Sequence, residues 1–274
     1  MKIELGIMQG RLSDKPGQSL QSFPYLTWKD EFFLARNFGL DHIEYLVDDV
    51  YDTLNPITNK EGRNQIAQLS KESNIKVNSL CAHTFISDNF LDPSNNSNII
   101  LKFEKIIEWC KQLDINYINV PIDGLSNKKL DELKNVIVLF NQLKIPKLIN
   151  ILIETDLSAE VVKFFLSALK VKNVNIVYDL GNANALKFNS VNDFKILHKN
   201  ICEIHLKDRS SKEGNSCRLG SLDTPFKKIA SELNQLRWSG LVTLETPIFT
   251  NWKEEAVHNI SFAKNWIKEI NKEI

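Results

Sequence analysis

Net charge is the first thing missing, because 34 lysines and arginines are matched by 34 aspartates and glutamates. A chain without a basic excess has no field to draw in a nucleic-acid backbone or an anionic membrane. No apolar run approaches the roughly 18 residues of a membrane span. The opening MKIELGIMQGRL has neither the apolar stretch nor the small-residue cleavage site of a secretory signal. A cytoplasmic location is therefore expected, with neither nucleic acid nor membrane as partner. Cysteine is sparse: Cys81, Cys110, Cys202 and Cys217 are far apart and form no CxxC pair. That spacing excludes a zinc ribbon or disulfide scaffold and predicts reduced, mostly buried thiols. Only ten glycines occur. None builds the GxGxxG turn expected after the first strand of a dinucleotide-binding doubly wound sheet, the main structural alternative.

What is present is alternation. Short β-branched runs are separated by longer segments of helical period, the pattern of βα units around a parallel sheet. Eight strands are predicted: Ile3–Gln9, His42–Val47, Lys76–His83, Ile115–Ile122, Asn150–Thr155, Val174–Leu180, Ile201–Asp208 and Leu241–Pro247. Dividing 274 residues by eight gives about 34 per unit, the size of a compact βα module. No linker or low-complexity tract divides the chain, so residues 1–274 are predicted to form one (β/α)8 TIM barrel domain. Thr27 is expected to cap a helix from Trp28 to Phe38 that Gly39 stops, and Ser97 to open another. Ser158 is read as an N-cap, Pro225 as the first turn of a helix through Leu236, and Asp92–Asn98 as a solvated loop. The last helix is placed from about Glu254 to Asn271.

Strands of a parallel barrel are buried on both faces, so a charged side chain within one must be paired or bound to a metal. Four consecutive strands nevertheless end in such groups: Glu154 in NILIET, Asp179 in NIVYDL, His205 in CEIHLKD and Glu245 in LVTLET. All four fall at C-terminal strand ends, where barrel enzymes keep their chemistry. Strand alternation turns Leu152, Val177 and Thr243 inward with them. It also turns Glu203 inward below His205, a second acid whose expected partner is the His205 ring or Lys207. Three carboxylates and an imidazole make an oxygen-rich site that favours Mn²⁺, Mg²⁺ or Co²⁺ and is compatible with Zn²⁺. Such an ion could polarise a carbonyl of a polyhydroxy substrate.

The motifs GIMQGRLS, GLDHIEYL, IET, YDLGNA, IHLKDR and TLET, in this order and spacing, resemble the xylose isomerase-like TIM barrel superfamily of sugar phosphate isomerases and epimerases. The resemblance covers nearly the whole chain. It implies one divalent ion on Glu154, Asp179, His205 and Glu245, and a small sugar or sugar phosphate as substrate. It further implies that Glu154 and Glu245 act as an acid/base pair across a metal-bound cis-enediolate. By the same resemblance Gln9, Arg11, His83, Asn182 and Arg209 are substrate contacts, the two arginines as grips for phosphate or carboxylate. Glu44 reads equally as a pocket residue or a buried structural acid.

Two departures from the family pattern leave the substrate open. Asn182 stands where many relatives have histidine, and Leu219-Gly220-Ser221-Leu222 replaces LGxG. Relatives are commonly dimers or tetramers, which makes a homo-oligomer compatible. A metal-dependent lyase or dehydratase of an inositol-like or keto-sugar substrate, and a non-catalytic sugar-binding barrel, are the alternative functions. The endonuclease members of the superfamily need several more histidines than His42, His83, His198, His205 and His258 provide.

Overall fold

In the computed structural model, which describes residues 2–14, 19–125, 130–248 and 251–272, eight parallel strands close on themselves. They are Ile3–Met8 (β1), His42–Leu46 (β2), Lys76–Cys81 (β3), Tyr117–Ile122 (β4), Asn150–Thr155 (β5), Val174–Asp179 (β6), Ile201–Leu206 (β7) and Gly240–Leu244 (β8). Each pairs with its sequence neighbours, and β8 closes the ring on β1 with Ile3 opposite Gly240 and Ile7 opposite Leu244. The (β/α)8 barrel expected from the sequence is the fold. Strand ends differ by a few residues because the chain bends away to carry polar groups. His83, for example, opens a 3-10 turn (His83–Phe85) instead of ending β3.

Alternation along each strand sorts the residues into two layers. Leu5 and Ile7, Ile43 and Tyr45, Ile151 and Ile153 face outward into one large core shared with the surrounding helices. A run of rings ties three of those helices together. Phe103 from helix Asn96–Leu113 stacks on Phe85 at 4.4 Å, Phe140 from Lys134–Gln142 meets Phe103 at 6.0 Å, and Phe165 from Ala159–Ala168 meets Phe140 at 5.9 Å.

Inside the ring the packing is different. Met8, Leu46 and Cys81 form a small apolar cluster of their own, and much of the remaining interior is polar. His42, Glu44, Ser79, Asn119, Glu203, His205 and Thr243 are all fully buried there. Gly6 makes room for His42, since a Cβ at position 6 would lie 2.2 Å from the ring Nε2. The interior is thus not the aliphatic filling that a typical barrel carries.

Several capping expectations are corrected. Thr27 precedes helix Trp28–Asn37 but its hydroxyl makes no capping bond; Gly39, at φ +65°, turns the chain out as expected. The helix placed at Ser97 begins at Asn96, after a 3-10 turn Pro93–Asn95 capped by Asp92, so the polar stretch is already helical. Pro225 is the residue before helix Phe226–Gln235, and the last helix spans Trp252–Ile270. All four cysteines are free; Cys81 and Cys110 are buried, Cys202 and Cys217 half-buried.

Candidate metal centre

The register of the strands brings the four singled-out side chains to one place. Thr243 of β8 lies beside His205 of β7, which lies beside Asp179 of β6, so their ends are level. Glu154, Asp179, His205 and Glu245 each offer a ligand atom within 4.8 Å of the others. Three carboxylate oxygens and one imidazole nitrogen at that spacing fit a divalent cation that prefers oxygen ligands. Asp179 Oδ2 is buried and already faces a cation, the Lys207 ammonium at 2.9 Å.

The two glutamates are held alike. Asn182 Nδ2 donates to Glu154 Oε1 at 2.9 Å, and Gln21 Nε2 donates to Glu245 Oε1 at 2.5 Å. Each thereby keeps its other oxygen toward the imidazole: Oε2 is 3.7 Å from His205 Nδ1 for Glu154 and 3.1 Å for Glu245. Asn182 also gives its backbone N–H to Asp179 Oδ1 at 2.7 Å, because Asp179 caps the short helix Leu180–Ala185.

Charge sets the glutamates apart. Burial, reinforced by Glu245 and Asp179, pushes Glu154 up to about 8 despite His205. Glu245 is buried too, but Lys207, His205 and Arg11 hold it well below the usual carboxylate range. Burial opposes a charged imidazole at His205, yet Glu44, Glu245 and Glu154 together raise it.

Behind His205 lies a second layer. Glu44 Oε2 is 3.1 Å from His205 Nε2, and Asn119 Nδ2 donates to Glu44 Oε1 at 3.2 Å. Glu44 is therefore placed beneath the imidazole and not on the pocket wall, where it can fix the ring with Nδ1 toward the metal ligands. Glu203, one rung lower, lies near the His205 ring, as expected, but takes its hydrogen bonds from elsewhere. It accepts from the Thr243 hydroxyl and, at 3.2 Å, from the Ser79 hydroxyl. Burial, reinforced by the Glu44 charge, lifts its carboxyl to about 8.

The other predicted contacts are distributed unevenly. Arg11 is buried, with its guanidinium donating to Leu20 O and Gln21 Oε1, both at 2.6 Å. It braces the loop that delivers Gln21 to Glu245. Arg209 donates twice to Gly214 O, at 2.9 and 2.7 Å, and once to Asn182 Oδ1 at 2.6 Å. Both arginines thus have partners within the protein, and Arg209 also lines the cleft. Gln9 is buried and receives Leu46 N–H at 3.3 Å. His83 sits half-buried beyond β3, its pKa lowered by burial and opposed by the Glu245 charge. A cleft of about 410 Å³ reaches Glu154, Asp179, Asn182 and Arg209 and is also walled by Asp123 and Asp156.

Two contributors were not singled out as site residues from the sequence. Gln21 lies in a loop with no motif to mark it. Lys207 was foreseeable, because its side chain follows His205 at the two-residue period of a strand. Its Nζ lies 2.9 Å from Asp179 Oδ2 and 2.8 Å from Glu245 Oε2.

A family model described as xylose isomerase-like TIM barrel matches residues 32–268. The chain belongs to this family. No curated protein sequence matches it. Among solved structures, this family member is similar to the D-allulose 3-epimerase of Methylomonas sp. in complex with D-allulose, with 15% identity over 96% of this chain and 97% of that one, TM-score 0.74. It is similar also to YcjR of E. coli, a 3-keto-D-glucoside 4-epimerase, at 15% identity over 97% and 100% of the chains, TM-score 0.72. The IOLI protein with a bound zinc atom aligns at 18% identity over 99% of both chains, TM-score 0.73. At such identities the likeness is one of fold.

Proposed function

We propose that this protein is a divalent-metal-dependent isomerase or epimerase of a small, neutral ketose. The observation that carries the reading is the convergence of Glu154, Asp179, His205 and Glu245 from four successive strands within 4.8 Å. These residues would hold the ion, and a bound divalent cation supplies Lewis-acid polarisation of a carbonyl and its neighbouring hydroxyl. The zinc in the IOLI protein and the D-allulose in the Methylomonas enzyme support the same reading from proteins of this fold.

Glu154 and Glu245 come from β5 and from the end of β8, on either side of Asp179 and His205. Their Oε1 atoms are fixed by Asn182 and Gln21. One carboxylate removes the proton from the carbon beside the carbonyl and the other returns a proton to the enediolate, on the opposite face for an epimerase or at the adjacent carbon for an isomerase. Asn182 stands where a second proton carrier would otherwise sit, and an amide can only hydrogen-bond. Proton traffic at carbon therefore falls to the glutamates.

A neutral sugar is preferred to a phosphorylated one. Arg11 is buried and donates to Gln21, Arg209 donates to Asn182 at the cleft wall, and Asp123 and Asp156 add two acids to that wall. The test is incubation of the Mn²⁺-loaded protein with ketoses and their phosphates in deuterated water. Deuterium should enter the carbon beside the carbonyl of a neutral ketose, and Glu154→Gln or Glu245→Gln should slow this by about 10²–10⁴-fold. Loss of water from the substrate, or exchange indifferent to both substitutions, would contradict the reading.

A further inference from the structure

Strand alternation stacks three ionisable side chains on the inward face at the end of β7: Glu203, His205 and Lys207. The uppermost of them, Lys207, reaches the carboxylates of the two flanking strands. Both contacts are to members of the four-ligand set. We propose that Lys207 is a built-in counter-cation of the centre, one that a divalent ion has to displace from Asp179 and Glu245 before those carboxylates can bind it. The inference rests on the metal-centre reading and adds to it a residue that sets how tightly the metal is held.

Three observations carry the argument. First, Glu245 Oε2 is shared, lying 2.8 Å from Lys207 Nζ and 3.1 Å from His205 Nδ1, the imidazole atom that faces the ligand set. An ion bound between that nitrogen and that oxygen would meet the ammonium at close range, where like charges in a buried site repel strongly. Secondly, Asp179 and Glu245 are buried carboxylates, and a buried carboxylate is costly unless a cation lies close to it. Lys207 is that cation. Thirdly, the movement required is confined to a side chain. The backbone beyond is anchored by Asp208, which accepts Leu222 N–H at 2.9 Å and Thr224 N–H at 3.3 Å. The stem of Lys207 runs against helix Leu180–Ala185 at Gly181, where an added Cβ would lie 2.9 Å from both its Cβ and its Cγ. The first two carbons of the stem are thus held against the helix, and displacement asks only for rotation about the outer bonds of a four-carbon side chain.

The test is Mn²⁺ binding, measured by calorimetry at one pH on wild type, Lys207→Met and Lys207→Arg. Removing the competing cation should tighten Mn²⁺ binding in Lys207→Met by about tenfold or more, as expected when the binding-competent state no longer has to be bought from a mostly occupied one. Lys207→Arg, which keeps the charge, should show no such gain. Wild-type binding with no gain in Lys207→Met, or an equal gain in Lys207→Arg, would overturn this inference alone. Absence of Mn²⁺ binding in all three proteins would overturn it together with the metal centre. Crystals of the wild type supply a check that needs no variant. Lys207 Nζ should contact both carboxylates without metal and leave them when Mn²⁺ is bound, and persistence of both contacts beside the bound ion would refute the displacement.

Discussion

Glu44 illustrates what one buried residue does that its sequence context left undecided. It lies 3.1 Å from His205 Nε2 and is held by Asn119, a placement that can orient the ring and, with an ion bound, would make Nδ1 the better ligand. Glu44→Gln should weaken Mn²⁺ binding by about 10–100-fold while leaving the fold intact, read by calorimetry together with circular dichroism; unchanged affinity would remove it from this role. His42 makes a pH-dependent contribution. Burial brings its pKa from 6.5 down to about 4, and its Nε2 lies 2.9 Å from Thr243 Oγ1. Its folded pKa is below its unfolded one, so protonation favours the unfolded chain. The stability it contributes is full above pH 6.5 and is lost as pH falls toward 4. The loss amounts to about 3 kcal/mol. Urea unfolding at pH 7 and pH 4 should therefore show a smaller acid loss in His42→Gln than in wild type, whereas parallel losses would contradict the assignment. The identities of the four candidate ligands were legible because acids and an imidazole are anomalous at strand ends. Glu44 was ambiguous because a buried acid and a pocket acid look the same in one dimension.

At the scale of elements, the eight strands could be read from β-branched runs, since their outward faces pack on helices as the apolar pattern demands. The interior was less legible. Period-two alternation says which residues share a face but not that one face of several strands is polar. Gly6 is the clearest example, an ordinary residue in IELGIM until β1 is set against β2 and the His42 ring fills the space. Gly6→Ala should cost about 2–4 kcal/mol by overpacking and by pulling His42 from Thr243, measured as a loss in chemical stability. A loss below about 0.5 kcal/mol would show that the ring can move aside. The loops were the least legible elements. Nothing in their composition announces that Arg11 braces Gln21 against Glu245, or that Arg209 folds its own loop back through Gly214. These are contacts between segments distant in sequence, and guanidinium groups at strand ends read from the sequence as anion grips.

Over the whole molecule, the closed parallel barrel and membership of the xylose isomerase-like family follow from a pattern of motifs that no single motif carries. Because β5 through β8 meet at the centre, a bound ion would join four strands of the ring. Adding Mn²⁺ at about 100 times its dissociation constant should stabilise the fold by about 2.7 kcal/mol, a rise of several degrees in the melting temperature that a chelator reverses. No shift would mean that the ion does not bind the folded state selectively. The central claim is that one divalent cation is held jointly by Glu154, Asp179, His205 and Glu245. An anomalous difference map from Mn²⁺-soaked crystals addresses it directly. One strong peak ligated by those four side chains is the predicted result, and a map empty at that position, or with manganese bound elsewhere, would contradict it.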